Sequence, residues 1–177
     1  MSLFCLNNQS NAQQKKNNEE AKILVAYFSC TGNTESIAKS ISKATGGKLY
    51  RITPKKAYSS ADLDWRNKNS RSSLEMNDES SRPELAGETV NMKDYDTVFI
   101  GYPIWWDLCP RAVNTFIEKY NLSGKTVIPF ATSGGSSIDN SVKRLKKLYP
   151  DVNWKEGRLL NRGNKQAEEW AEQTIAK

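Results

Sequence analysis

With 177 residues, 37% of them apolar and 26% charged, the chain is long enough for one domain with a sizeable core and too apolar for disorder, and its longest apolar stretch, residues 23–28, is strand-sized and far short of a membrane span. Histidine is absent, which excludes Ser-His-Asp and Cys-His nucleophile systems and imidazole metal sites, and the odd set of Cys5, Cys30 and Cys109 lacks CxxC spacing, which argues against a disulfide framework. The formal charge of +6 favours anionic partners, but no nucleic-acid signature interleaves the scattered cations with aromatics, so nucleic acid is not an expected partner.

Residues 1–20 (MSLFCLNNQSNAQQKKNNEE) are polar, Asn/Gln-rich and aperiodic, which predicts a disordered tail ahead of a domain over 21–177. A cytoplasmic location is expected; a natural N-terminus carrying a signal ahead of Cys5 would instead make the tail the tether of a lipoprotein. From Lys22 onward, strand and helix patterns alternate. Residues 22–28 (KILVAYF) are apolar nearly throughout, as for a strand buried on both faces. Asn33–Thr45 carries Ile37, Ala38, Ile41 and Ala44 at helical spacing, with Gly46-Gly47 as the stop.

Residues 48–52 form a short second strand. A long polar connection then runs over 53–94, weakly helical only around 61–75; connections of that length are functional or disordered. The third strand is 96–102, followed by a helix at Arg111–Tyr120 behind Pro110. The fourth strand is 125–131, and a helix over 137–149 is stopped by Pro150. Within that helix Lys143, Arg144, Lys146 and Lys147 form the densest basic cluster, a solvated face or, alternatively, a docking patch. A fifth strand lies within 152–160, and a helix over 165–176 closes the chain. Strict alternation predicts an α/β fold: a doubly wound five-stranded parallel sheet with helices on both faces and ligands at the carboxyl ends of its strands.

The loop after the first strand, Ser29-Cys30-Thr31-Gly32-Asn33-Thr34, opens a helix, so its backbone N–H groups converge at the positive end of a helix dipole. Three hydroxyls add donors, and Gly32 allows close backbone approach. The pattern fits a phosphate cradle; an ordinary helix cap with spare hydroxyls is the alternative. Without the lysine of GxxxxGK[ST] or the glycines of GxGxxG, it is neither an NTP P-loop nor a Rossmann dinucleotide site. A helix N-terminus favours a thiolate at Cys30, but a bound phosphate would oppose one, so a passive role is expected. Cys109 is expected to be a small apolar filler.

Ser-x-Thr-Gly-Asn-Thr after a buried first strand closely resembles the FMN-phosphate signature of the flavodoxin family, and the resemblance extends over residues 22–177. After the third strand, Gly101-Tyr102-Pro103-Ile104-Trp105-Trp106 stands where flavodoxin-like proteins place an aromatic loop against the isoalloxazine ring. After the fourth, Ala131-Thr132-Ser133-Gly134-Gly135-Ser136 looks like the family's second flavin-edge loop. The resemblance implies strand order 2-1-3-4-5, FMN as cofactor and no metal. It puts the phosphate on Ser29, Cys30, Thr31, Gly32, Asn33 and Thr34, and the ring between Pro103, Ile104, Trp105 and Trp106 and the facing Thr132, Ser133, Gly134 and Gly135. Tryptophan faces suit stacking on a flat ring, and the two glycines expose backbone groups to its polar edge. A core strand end or dimer patch at the aromatic loop, and a flexible turn at the glycine loop, are the alternatives.

The function so implied is electron transfer through FMN, to a redox partner protein or a small-molecule acceptor, with no catalytic acid or base from the protein. An NAD(P)H-dependent quinone or flavin reductase on the same fold is the alternative, and a binding module that has lost FMN a third. Electron-carrier flavodoxins are typically strongly acidic, whereas this chain is basic. Since reduced FMN is an anion, a positive protein is expected to hold it at a higher reduction potential. The 53–94 connection also exceeds that of a minimal flavodoxin. Its Asp64-Trp65-Arg66 and Ser70-Arg71 are candidates to cover the flavin or contact a substrate, or else a solvated loop with one anchoring tryptophan.

Overall fold

The computed structural model describes residues 22–161 and 164–176; the expected tail, with Cys5, lies outside them. In chain order the first half comprises β1 (Ile23–Tyr27), α1 (Asn33–Thr45), β2 (Lys48–Arg51), β3 (Thr53–Pro54), α2 (Arg71–Asn77) and β4 (Leu85–Ala86). The second comprises β5 (Thr97–Pro103), α3 (Arg111–Tyr120), β6 (Thr126–Thr132), α4 (Asp139–Leu148), β7 (Asn153–Trp154), β8 (Arg158–Leu159) and α5 (Asn164–Ile175).

β1 is buried at every position and lies between β2 and β5, parallel to both, so its unbroken apolar run has apolar neighbours on each side. β5 pairs with β6 over seven residues, and the sheet order is β2-β1-β5-β6-β7, the expected 2-1-3-4-5 winding. α1 and α5 cover one face, where Ile37, Ala38 and Ile41 meet Ala167 and Ala171. α3 and α4 cover the other with Ala112, Val113, Phe116, Val142 and Leu145. α1 ends where its glycines require: Gly46 adopts φ 68°, the left-handed C-cap that β-carbon sterics disfavour elsewhere. On α4 the basic cluster is solvated, with Lys143, Lys146 and Lys147 exposed and Arg144 paired with Glu79.

The fifth strand differs from its expected form. Instead of one segment there are two residue pairs, β7 and β8, both parallel to β6 and separated by 155–157. The cause is Pro129. Val127 and Ala131 of β6 accept bonds from Lys155 and Leu160, so Pro129, two residues from each, presents its edge to the same side. It has no N–H to offer there, and the ladder breaks opposite it.

The 53–94 connection is folded, and its helix is shorter and later than the sequence suggests. α2 begins at Arg71, with the Ser70 hydroxyl capping the Ser73 N–H at 3.3 Å. Arg111, the first residue of α3, is buried and donates to the carbonyls of Glu75 (3.2 Å) and Met76 (2.8 Å), satisfying the carboxyl end of α2 and anchoring the connection to the sheet's helical layer.

Gly101 in β5 pairs with Phe130 in β6, whose ring lies across it: a β-carbon at 101 would fall 2.1 Å from the Phe130 Cζ. Gly101→Ala is therefore expected to lower the unfolding free energy in urea by about 1–3 kcal/mol. In the Phe130→Leu background the same substitution should cost measurably less, and equal costs in both backgrounds would refute the ring-over-glycine account.

Candidate functional site

At the carboxyl ends of β1, β5 and β6 the three loops singled out in the sequence surround one cleft of about 560 Å³, within the usual size range of small-molecule sites. Of the expected residues, Ser29, Cys30, Thr31, Asn33 and Thr34 line it from the first loop, Pro103, Ile104 and Trp105 from the second, and Thr132, Ser133 and Gly134 from the third. Gly32, Trp106 and Gly135 do not line it. Ser36, Ile37, Leu63, Leu160 and Asn161 complete the lining. Asn161 follows β8, at the strand end where this fold gathers ligand contacts, and that position is a signal the sequence did offer. Leu63 had no such signal, since it is brought in by the folding of the long connection.

The first loop is built around an uncapped helix. Gly32 is the N-cap residue of α1 at φ 90° and has no side chain to satisfy the first turn. The first intrahelical bond runs from the Ser36 N–H to the Gly32 carbonyl at 3.0 Å, which leaves the N–H groups of Asn33, Thr34 and Glu35 without intrahelical acceptors. The Ser29 Oγ accepts from the Gly32 N–H at 3.1 Å and closes the turn. Thr34 and Thr132 share a buried hydroxyl–hydroxyl bond of 2.8 Å; one proton is used between them and the other remains to be donated. The one acidic residue of the first turn, Glu35, is offset by Lys39 at 2.7 Å and Arg51 at 3.7 Å, and its hydrogen bond to Lys39 holds its carboxyl below the usual range. Arg51 also donates to the Ser29 carbonyl at 3.2 Å. No acidic or basic side chain is among the described residues that line the cleft.

The opposite wall is aromatic. Trp105 meets Phe28 edge-on at 5.5 Å between centroids and Tyr58 edge-on at 5.5 Å. Tyr58 belongs to the long connection and was not singled out by its sequence. Its hydroxyl donates to Glu75, and the Arg71 guanidinium lies 4.0 Å over its ring while donating to Glu75 at 2.6 Å. Burial and the Glu75 carboxylate raise the Tyr58 hydroxyl's pKa, so it stays protonated. Arg71 thus braces the wall from behind, at the start of the helix that Ser70 caps.

Cys30 lines the cleft, and burial pushes its thiol up to about 11 despite Arg51 and Arg71. Cys109 is fully buried, with its thiol pushed up to about 12, and serves as core filler. At pH 8 Cys30 is expected to react with iodoacetamide about tenfold more slowly than free cysteine, once the greater nucleophilicity of a high-pKa thiolate is allowed for. Mass mapping of the alkylated peptide over pH 8–10 checks this, and labelling as fast as free cysteine at pH 8 would mark an activated thiol instead.

The sequence profile of the flavodoxin family matches residues 22–174. No curated protein sequence matches the chain. Among solved structures, a candidate flavoprotein from Bacteroides eggerthii is similar at 61% identity and TM-score 0.83, over 89% of this chain and 99% of the other. A second, from Bacteroides uniformis, has 52% identity and TM-score 0.82, over 90% and 100%. A flavoprotein from Lactobacillus acidophilus in complex with FMN shares the fold at 20% identity and TM-score 0.66, over 85% and 99%. The profile match spans nearly all of the described residues, including the three loops that meet at the cleft, and the chain therefore belongs to the flavodoxin family.

Proposed function

We propose that the protein binds FMN in this cleft and transfers electrons through it. The observation that carries the reading is the uncapped amino terminus of α1, which opens beside the cleft with the hydroxyls of Ser29, Thr31 and Thr34 around it. That donor set suits a dianionic phosphate: three N–H groups without intrahelical acceptors on a helix dipole, hydroxyls with protons to give, and an acidic first-turn residue already paired. Trp105 and Pro103 on one side, and Thr132 to Gly134 on the other, suit the flat ring. The Lactobacillus acidophilus relative's FMN complex supports the same choice.

Bound FMN supplies one- and two-electron chemistry. The chain's own residues bind and orient. Thr34 and Thr132, hydrogen-bonded to each other, hold the phosphate loop and the glycine loop at a fixed separation. Trp105, braced by Phe28 and Tyr58, keeps water from one side of the cleft.

Titration with FMN and riboflavin, followed by flavin fluorescence, tests the reading. FMN is expected to bind far more tightly than riboflavin, and Thr31→Val should weaken FMN about tenfold, the scale of one hydrogen bond to a charged group, while leaving riboflavin unchanged. Equal affinity for both flavins would reduce the loop to a helix cap. With a net charge of +6 and no charged side chain among the described residues that line the cleft, the bound flavin's reduction potential is expected to lie above that of acidic flavodoxins. A potentiometric titration giving an equally low value would sink that expectation.

A further inference from the structure

Beside the first cleft lies a second, open one, lined by Trp65, Arg66, Lys68, Ser73, Asn77 and Trp106. The two share a partition. Leu63 and Trp105 face the first cleft, while Trp65 and Trp106, from the same two loops, face the second. Trp65 is 71% exposed and Trp106 45%, the two most exposed tryptophans among the described residues, and both border one concavity. Large aromatic side chains left in water together are the kind of exposure that calls for an account.

Trp106 is also held outward at a cost. It and Asp107 are the central residues of a tight turn in which Trp105 and Leu108 exchange both backbone hydrogen bonds at 2.9 Å. Their φ values are 45° and 65°, the left-handed region that suits Gly, Asn or Asp in such a turn and disfavours tryptophan. Asn140 of α4 donates to the Asp107 carboxylate at 2.6 Å and pins the turn. A strained backbone that presents a large ring to solvent is a feature of binding sites more than of scaffolds.

The charges around the cleft are positive on balance. Arg66 and Lys68 line it; Asp64 pairs with Arg66 at 3.2 Å through one guanidinium nitrogen, and no carboxylate is among the described residues of the lining. Ser73 is occupied, its hydroxyl donating to the Asn67 carbonyl, which leaves the indoles, the cations and the Asn77 amide to meet a ligand.

From this juxtaposition of two outward-held indoles and two cations beside the flavin cleft, we infer that the second cleft binds a planar aromatic anion, stacked on Trp65 and Trp106 with its charge toward Arg66 and Lys68. Binding in the second cleft does not rest on the flavin reading.

The probe is naphthalene-2-sulfonate, with naphthalene-2-methanol as the neutral control, titrated calorimetrically into the full chain with and without saturating FMN. The sulfonate is expected to bind several-fold more tightly than the alcohol, more weakly at high salt, and equally well with FMN present. Trp65→Ala and Trp106→Asn should each weaken it about tenfold, the order of one lost stacking face, and the asparagine suits the left-handed backbone and leaves the fold intact. Arg66→Gln combined with Lys68→Gln should abolish the preference for the sulfonate. Competition by FMN would place the probe in the first cleft and overturn the proposal, as would affinities unmoved by either tryptophan substitution. If FMN itself fails to bind, the flavin reading falls and the FMN-free titration alone decides the second cleft.

Discussion

A strand buried on both faces and paired in parallel on both edges cannot hand the chain to its neighbour through a tight turn; a helix must carry it back across the sheet first. β1 is in that position, with β2 and β5 beside it and apolar clusters above and below. The constraint puts the carboxyl ends of β1, β5 and β6 at one edge of the sheet, and puts the amino terminus of α1 at that edge as well. The cleft follows from this arrangement more than from any single side chain. The buried Thr34–Thr132 bond then joins the start of α1 to the end of β6, two strand positions away, so the loops are fixed relative to each other and not merely near.

Elements whose cause is local were legible. The bounds of α1 and α3 follow from apolar spacing closed by Gly46 in one case and opened by Pro110 in the other. The hydroxyl loop was legible for the same reason, since composition and position after a buried strand coincide within six residues. The fifth strand shows the limit. Its interruption comes from a proline in a different strand, and Pro129 within 125–131 reads as an unremarkable residue until the side it presents is known.

The site divides along the same line. Eleven of fourteen expected residues line the cleft because strand ends and adjacent loops fix them together. Tyr58 and Leu63 were invisible because 53–94 has little periodicity; their positions depend on α2, whose carboxyl end is satisfied by Arg111 from a distant helix. Trp106 lies outside the lining for a different reason. Adjacent tryptophans suggest two equivalent walls, but a two-residue turn with positive φ at its centre sends the second ring away from the first.

Two local preferences are overridden, and both lie at the edge of the cleft. An α-helix favours a Ser or Asp cap, yet the cap residue of α1 is Gly32 at φ 90°, a backbone that strains any side chain, so no capping oxygen meets the first turn's N–H groups. A glycine or asparagine at position 106 would relax the turn, yet a tryptophan stands there at φ 45°. Elsewhere among the described residues no buried side-chain polar atom lacks a partner, and the other positive-φ positions are glycines, an aspartate and an asparagine. Local preferences overridden beside clefts are expected where ligands are met. The uncapped helix is accounted for by an anion that completes its first turn. The turned-out tryptophan has no such account within the first cleft, which is why the second cleft, and not the first, is where the unexplained strain points.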